Sequence, residues 1–94
     1  MYYVYTIQSK IYKKVYVGYT NDLQRRLMLH NSGKVFSTKP YKPYKLIYYE
    51  AYQNKEDAQE KEIFLKSGWG KNYLKRVLKH YFVVEKSKRI SPKI

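Results

Sequence analysis

The 94-residue chain contains no cysteine, so neither a disulfide framework nor a thiolate zinc site can hold it together. A domain this small, without such staples, relies on apolar packing alone. No apolar run approaches the ~20 residues that span a bilayer. Met1 leads directly into strand-like tyrosines, without the charged start and apolar core of a secretory signal. The expectation is a soluble, cytoplasmic protein. Acidic residues are scarce as well: 7 stand against 20 basic ones, a net charge of +13 with both histidines neutral. Internal repeats are absent, and the length has room for one domain.

What the chain has in abundance is positive charge and tyrosine. Of its 44% hydrophobic residues, 13 positions are tyrosines, each ending in a polar hydroxyl. A surface so cationic attracts polyanions. Nucleic acid is the commonest of these, and basic patches mixed with aromatics suit it. The basic residues are spread along the chain rather than gathered on one amphipathic helix, which speaks against a membrane surface as partner. No obligate protein partner is implied.

The segment Met1 to Ser9, MYYVYTIQS, is rich in strand-forming residues, and so is Val15 to Tyr19. Their short polar link predicts an antiparallel hairpin. Gly18, inside the second strand, marks a bulge or a close approach of backbone to another group. Asn21 is the expected N-cap of a helix over Leu23–Ser32, with Gln24 completing a capping box and Gly33 as its stop. Lys34 to Pro43 is a loop carrying Lys34, Lys39 and Lys42. Tyr44 to Tyr52 is a third strand. A helix capped by Asn54 runs from Lys55 to about Ser67, with Glu56 and Asp57 in its dipole-favoured first turn. Gly68-Trp69-Gly70 breaks that helix, and apolar spacing places another over Asn72–Phe82. The order β-β-α-β-α-α makes an α+β domain over residues 1–82, a three-stranded antiparallel sheet with flanking helices. Residues 83–94 lose periodicity and read as a flexible basic tail.

The two-residue period of a strand puts Tyr3 and Tyr5 on one face and Tyr16 and Gly18 together on another strand's face. If the hairpin aligns those faces, Tyr5 and Tyr16 share a surface, either as packing groups or as reactive phenols. Arg26 and His30 are one helical turn apart and project from one face. That face is either solvated and basic, or a phosphate grip with a proton carrier beside it. Glu62 interrupts an apolar stripe formed by Ala58, Leu65 and Trp69. A carboxylate turned inward needs a partner, a proton or a metal; a merely solvating role alongside Glu56, Asp57 and Glu60 is the plain alternative.

Tyr3-Val4-Tyr5, followed by Tyr16-Val17-Gly18, resembles the paired motif of the GIY-YIG nuclease superfamily. GYTNDLQRRLMLHNSGK (Gly18 to Lys34), KLIYYEAY (Lys45 to Tyr52) and DAQEKEIFLKSGWG (Asp57 to Gly70) look like its small single-domain bacterial members. The likeness extends over about Met1 to Tyr81. It departs from the pattern at Tyr3, where the first motif ordinarily has glycine.

The resemblance implies a metal-dependent endonuclease. Tyr5 and Tyr16 correspond to the motif tyrosines, Arg26 to the phosphate-gripping arginine, and Glu62 to the ligand of Mg²⁺ or Mn²⁺. His30 corresponds to a residue that assists proton transfer in some members, and Asn72 to a polar residue near the scissile phosphate. Lys34, Lys39, Lys42, Lys71 and Asn72 are the candidate nucleic-acid contacts. DNA is the expected substrate ahead of RNA. The alternative is a non-catalytic nucleic-acid-binding module that uses the same basic surface.

Overall fold

The computed structural model describes residues 1–89 of the chain. Strands β1 (Tyr2–Ser9), β2 (Val15–Thr20) and β3 (Tyr44–Tyr52) form an antiparallel sheet in the order β2-β1-β3. Helices α1 (Leu23–Asn31), α2 (Lys55–Lys66), α3 (Gly68–Val77) and α4 (Lys79–Arg89) complete the α+β order, with a 3₁₀ turn at Lys39–Tyr41. The described residues fall into two compact units, Met1–Ile63 and a second from Phe64 onward. No described helix is long and apolar enough to cross a membrane.

β1 is central, and both its faces are buried: Tyr5 and Ile7 on one, Val4, Thr6 and Gln8 on the other. In the β1–β2 ladder Tyr5 lies opposite Gly18 and Ile7 opposite Tyr16, so Tyr5 and Tyr16 share a face as strand parity requires. The register irregularity expected near Gly18 lies elsewhere, between Thr6 and Ile7 against β3. Gly18 has the other role foreseen for it. A Cβ there would overlap the Tyr5 phenol, which lies across the backbone of β2.

On this face Tyr5, Ile7 and Tyr44 form a core, with Leu23 and Leu27 of α1 packed on it one helical turn apart. Each fully buried apolar side chain of this kind contributes about 1.5–3 kcal/mol. On β3, Tyr48 and Tyr52 donate to Glu50, which also pairs with Lys61 at 3.4 Å. Burial opposes ionisation of Glu50, but these hydroxyls and the ammonium outweigh it and hold the carboxyl below its usual range.

The N-cap of α1 is Asp22 rather than Asn21, its side chain accepting from Arg25 N at 3.1 Å. Either residue could cap; Thr20 decides, because its hydroxyl accepts from Asp22 N and orients that residue. Gly33 ends the helix at φ +78°, the left-handed conformation that favours glycine.

In the second unit Gly68-Trp69-Gly70 opens a helix instead of separating two. Ser67 is the reason: its hydroxyl accepts from Gly70 N and donates to Phe64 O, capping α3 directly behind α2. The helix expected over Asn72–Phe82 is therefore split at Leu78 between α3 and α4. Trp69 leaves the apolar stripe for the same reason and is 79% exposed, whereas Ala58 and Leu65 are buried as expected. Of the residues expected to form a tail, 83–89 are helical in α4, and 90–94 lie outside the described residues.

Candidate active site

The first unit gathers four of the residues singled out in the sequence around one hydroxyl. Tyr5 Oη lies 2.7 Å from His30 Nε2 and accepts from Arg26 Nε at 3.4 Å. Parity of β1 points Tyr5 toward α1, and the one-turn spacing on α1 brings Arg26 and His30 to the same phenol. Tyr16 joins them: its ring packs edge-on to His30 at 5.2 Å between centroids, and it stands near enough to Arg26 to favour the charged guanidinium. Glu62 stands near enough to Tyr5 to disfavour phenolate there. It is half-buried on α2 while its neighbour Ile63 is 72% exposed.

Burial sorts these groups. Tyr5 is enclosed, and burial pushes its phenol up to about 12 against the opposing pull of Arg26. The hydrogen bond to Tyr5 in turn holds Arg26 more firmly in its charged form. Of the two readings of the Arg26 and His30 face, a solvated one does not extend to His30, which is fully buried and ringed edge-on by Tyr5, Tyr16 and Tyr44. Burial first, and the Arg26 charge second, push its imidazole down to about 4, so it is neutral at pH 7. Its neighbours are Tyr5, Tyr16, Tyr44 and Thr38 rather than solvent.

Thr38 is the residue that sequence reasoning missed. It is completely buried, and its Oγ1 lies 2.7 Å from His30 Nδ1. The Tyr44 hydroxyl donates to the Thr38 carbonyl at 3.1 Å, and Asn31 brackets the Tyr44 backbone with two more bonds. A lone threonine in a lysine-rich loop carries no sequence signal for such a position. Around this anchor the loop is open: Lys34, Lys39 and Lys42 are exposed, and the stems of Lys39 and Lys42 lie over Gly33. Phe36, two residues from Thr38, is 91% exposed. Lys71 and Asn72 are exposed on α3 of the second unit.

No group of three or more His, Cys, Asp or Glu side chains among the described residues could cage a metal ion. A softer ion with several protein ligands does not fit. A hard cation that keeps most of its waters and takes one carboxylate is compatible with the half-buried Glu62, which could hold it.

The family model of the GIY-YIG catalytic domain matches residues 1–75. The chain belongs to the GIY-YIG family. Within it, the chain is similar to small proteins named UPF0213. One from Clostridium perfringens is 39% identical over 67 residues, 70% of this chain and 71% of that one. Another from Bacillus pumilus is 46% identical over 54 residues, 56% of this chain and 55% of that one. A solution NMR structure of a UPF0213 protein from Bacillus halodurans aligns with a TM-score of 0.51 at 34% identity, covering 82% of this chain and 85% of that one. GIY-YIG is a nuclease domain family, which brings nucleic acid and, in general, a divalent metal into view. In this member Tyr3 stands where the motif has glycine; its ring meets Tyr49 edge-on at 6.1 Å, on the same sheet face as Tyr5.

Proposed function

We propose that the chain is a divalent-cation-dependent endonuclease that hydrolyses phosphodiester bonds, in DNA ahead of RNA. The observation that carries this reading is the contact of the Arg26 guanidinium with the Tyr5 hydroxyl, beside Tyr16 and within electrostatic reach of Glu62. Arg26 spends its Nε on Tyr5 and keeps terminal N–H donors for a phosphate. Those donors stabilise charge growing on the non-bridging oxygens as water attacks. Tyr16 is the more accessible of the two phenols. Tyr5 is enclosed and resists ionisation, whereas Tyr16 is half-buried with a permanent cation beside it. Once the Tyr16 hydroxyl has lost its own proton to solvent, its phenolate takes the proton of the attacking water; the water oxygen bonds to phosphorus, the bond from phosphorus to the sugar oxygen breaks, and that oxygen takes a proton from solvent. Glu62 would hold Mg²⁺ or Mn²⁺, which when bound would supply neutralisation of phosphate charge and stabilisation of the leaving oxygen. Lys34, Lys39 and Lys42 of the first unit bind the polyanion backbone, and Lys71 and Asn72 are the second unit's own candidate contacts.

Glu62→Gln tests this, because it removes the charge and nearly keeps the shape. Cleavage should fall by orders of magnitude, as loss of several kcal/mol of charge stabilisation requires. Metal-free DNA binding should be equal or tighter, and thermal melting unchanged. Wild-type cleavage by this variant would overturn the metal role. No cleavage by the wild type of single-stranded, branched or nicked DNA or of RNA, with either cation, would favour the non-catalytic binding module.

A further inference from the structure

The hydrogen-bond chain through His30 has a direction, and its neighbours decide it. Arg26 can only donate, so its Nε–H approaches a lone pair of Tyr5 Oη. Tyr5 is enclosed, and its own proton needs an acceptor; His30 Nε2, at 2.7 Å, is that acceptor. A neutral imidazole with a bare Nε2 carries its proton on Nδ1. That proton meets Thr38 Oγ1 at 2.7 Å, and the Thr38 hydroxyl passes its own toward Val35 O at 3.4 Å. In this assignment every donor has one acceptor. The opposite tautomer would aim Nε2–H at Tyr5 Oη, and the Tyr5 proton would then face the Arg26 donor. The tautomer thus follows from the partners and not from observed hydrogens.

We propose that Thr38 is a positioning residue of the candidate site: it holds buried His30 as the Nδ1–H tautomer, so that Tyr5 donates to His30 and turns a lone pair to Arg26. Thr38 does not meet substrate. Its hydroxyl is instead the far end of a three-residue relay that fixes where the guanidinium sits. The relay runs from the lysine-bearing loop through α1, which precedes it, to the central strand, 25 residues before His30. The catalytic consequence rests on the nuclease reading above; the tautomer assignment does not.

The test uses the full chain with ¹⁵N-labelled histidine, comparing wild type, Thr38→Ser and Thr38→Val. Two-bond proton–nitrogen correlations report which His30 nitrogen carries the proton. Wild type and Thr38→Ser should show Nδ1–H with full activity. Thr38→Val, which keeps the shape and removes the acceptor, should move His30 toward Nε2–H. Its kcat on DNA should drop roughly 10–100-fold, the scale of a displaced catalytic group, with KM unchanged. An Nε2–H signal in the wild type would overturn the proposal without any variant, and so would Nδ1–H retained in Thr38→Val. A Thr38→Val protein that melts lower yet keeps wild-type kcat would make Thr38 merely structural. If Thr38→Val does not fold, failure of Thr38→Ser to restore the wild-type spectrum is the overturning result. If the wild type cleaves nothing, the nuclease reading fails, and the spectra still decide whether Thr38 sets the tautomer.

Discussion

The enclosed half of the site, around Tyr5, His30 and Thr38, is uncharged at neutral pH; the open half, Arg26 and the loop lysines, is cationic. The two halves meet at one hydroxyl, Tyr5 Oη. Burial makes charge costly, so the enclosed half is held by directed neutral hydrogen bonds. At the surface water screens the lysines until a polyanion replaces it. On the function proposed above, the contrast amounts to a division of labour: the neutral half aims the arginine, and the cationic half gathers the substrate.

The largest effect should come from the open half. If about six phosphates are neutralised, DNA binding weakens about 10³-fold between 50 and 200 mM salt. Replacing Lys34, Lys39 and Lys42 by alanine should reduce the salt slope by about 2–3 and leave melting unchanged. Affinity that is flat with salt would remove the electrostatic role of this half.

The enclosed half should show itself in acid. His30 takes up its proton near 6.5 when unfolded and near 4 in the fold. Between those values the unfolded state binds more protons, so stability declines as pH falls from about 6.5 to about 4 and levels off below. The loss attributable to His30 is about 2–3 kcal/mol. Urea unfolding at pH 7 and pH 4, on wild type and His30→Gln, measures it; the same pH dependence in both would contradict the buried neutral imidazole.

Gly18→Ala probes the seam between the halves. Its new methyl would press on the Tyr5 phenol, costing about 1–3 kcal/mol by overpacking and turning the hydroxyl from Arg26. A melting temperature equal to wild type would mean that Tyr5 does not lie across β2. The smallest effect belongs to Phe36→Ala. At 91% exposure the ring supports nothing in the fold, and stability should change by less than about 0.5 kcal/mol. A larger loss on melting would show that the loop tip packs.

Much of this was readable in the residues. The strand period put Tyr5 and Tyr16 on one face, and the helix period put Arg26 and His30 on another, both of which are local regularities of the backbone. The three strands, the Gly33 stop and the close approach at Gly18 follow from the same short-range rules. Boundaries followed competition between neighbours instead: Asp22 won the cap from Asn21 through Thr20, and Ser67 turned a helix break into a helix start. Only the tertiary structure decided what each side chain experiences. Spacing alone could not say that His30 is enclosed while Arg26, on the same face, is only half-buried. Nor could it bring Thr38 from its loop to the far nitrogen of His30. Whether a polar group is a solvated charge or a link in a neutral relay depends on what excludes water from it, and in this chain that is done by residues distant in sequence.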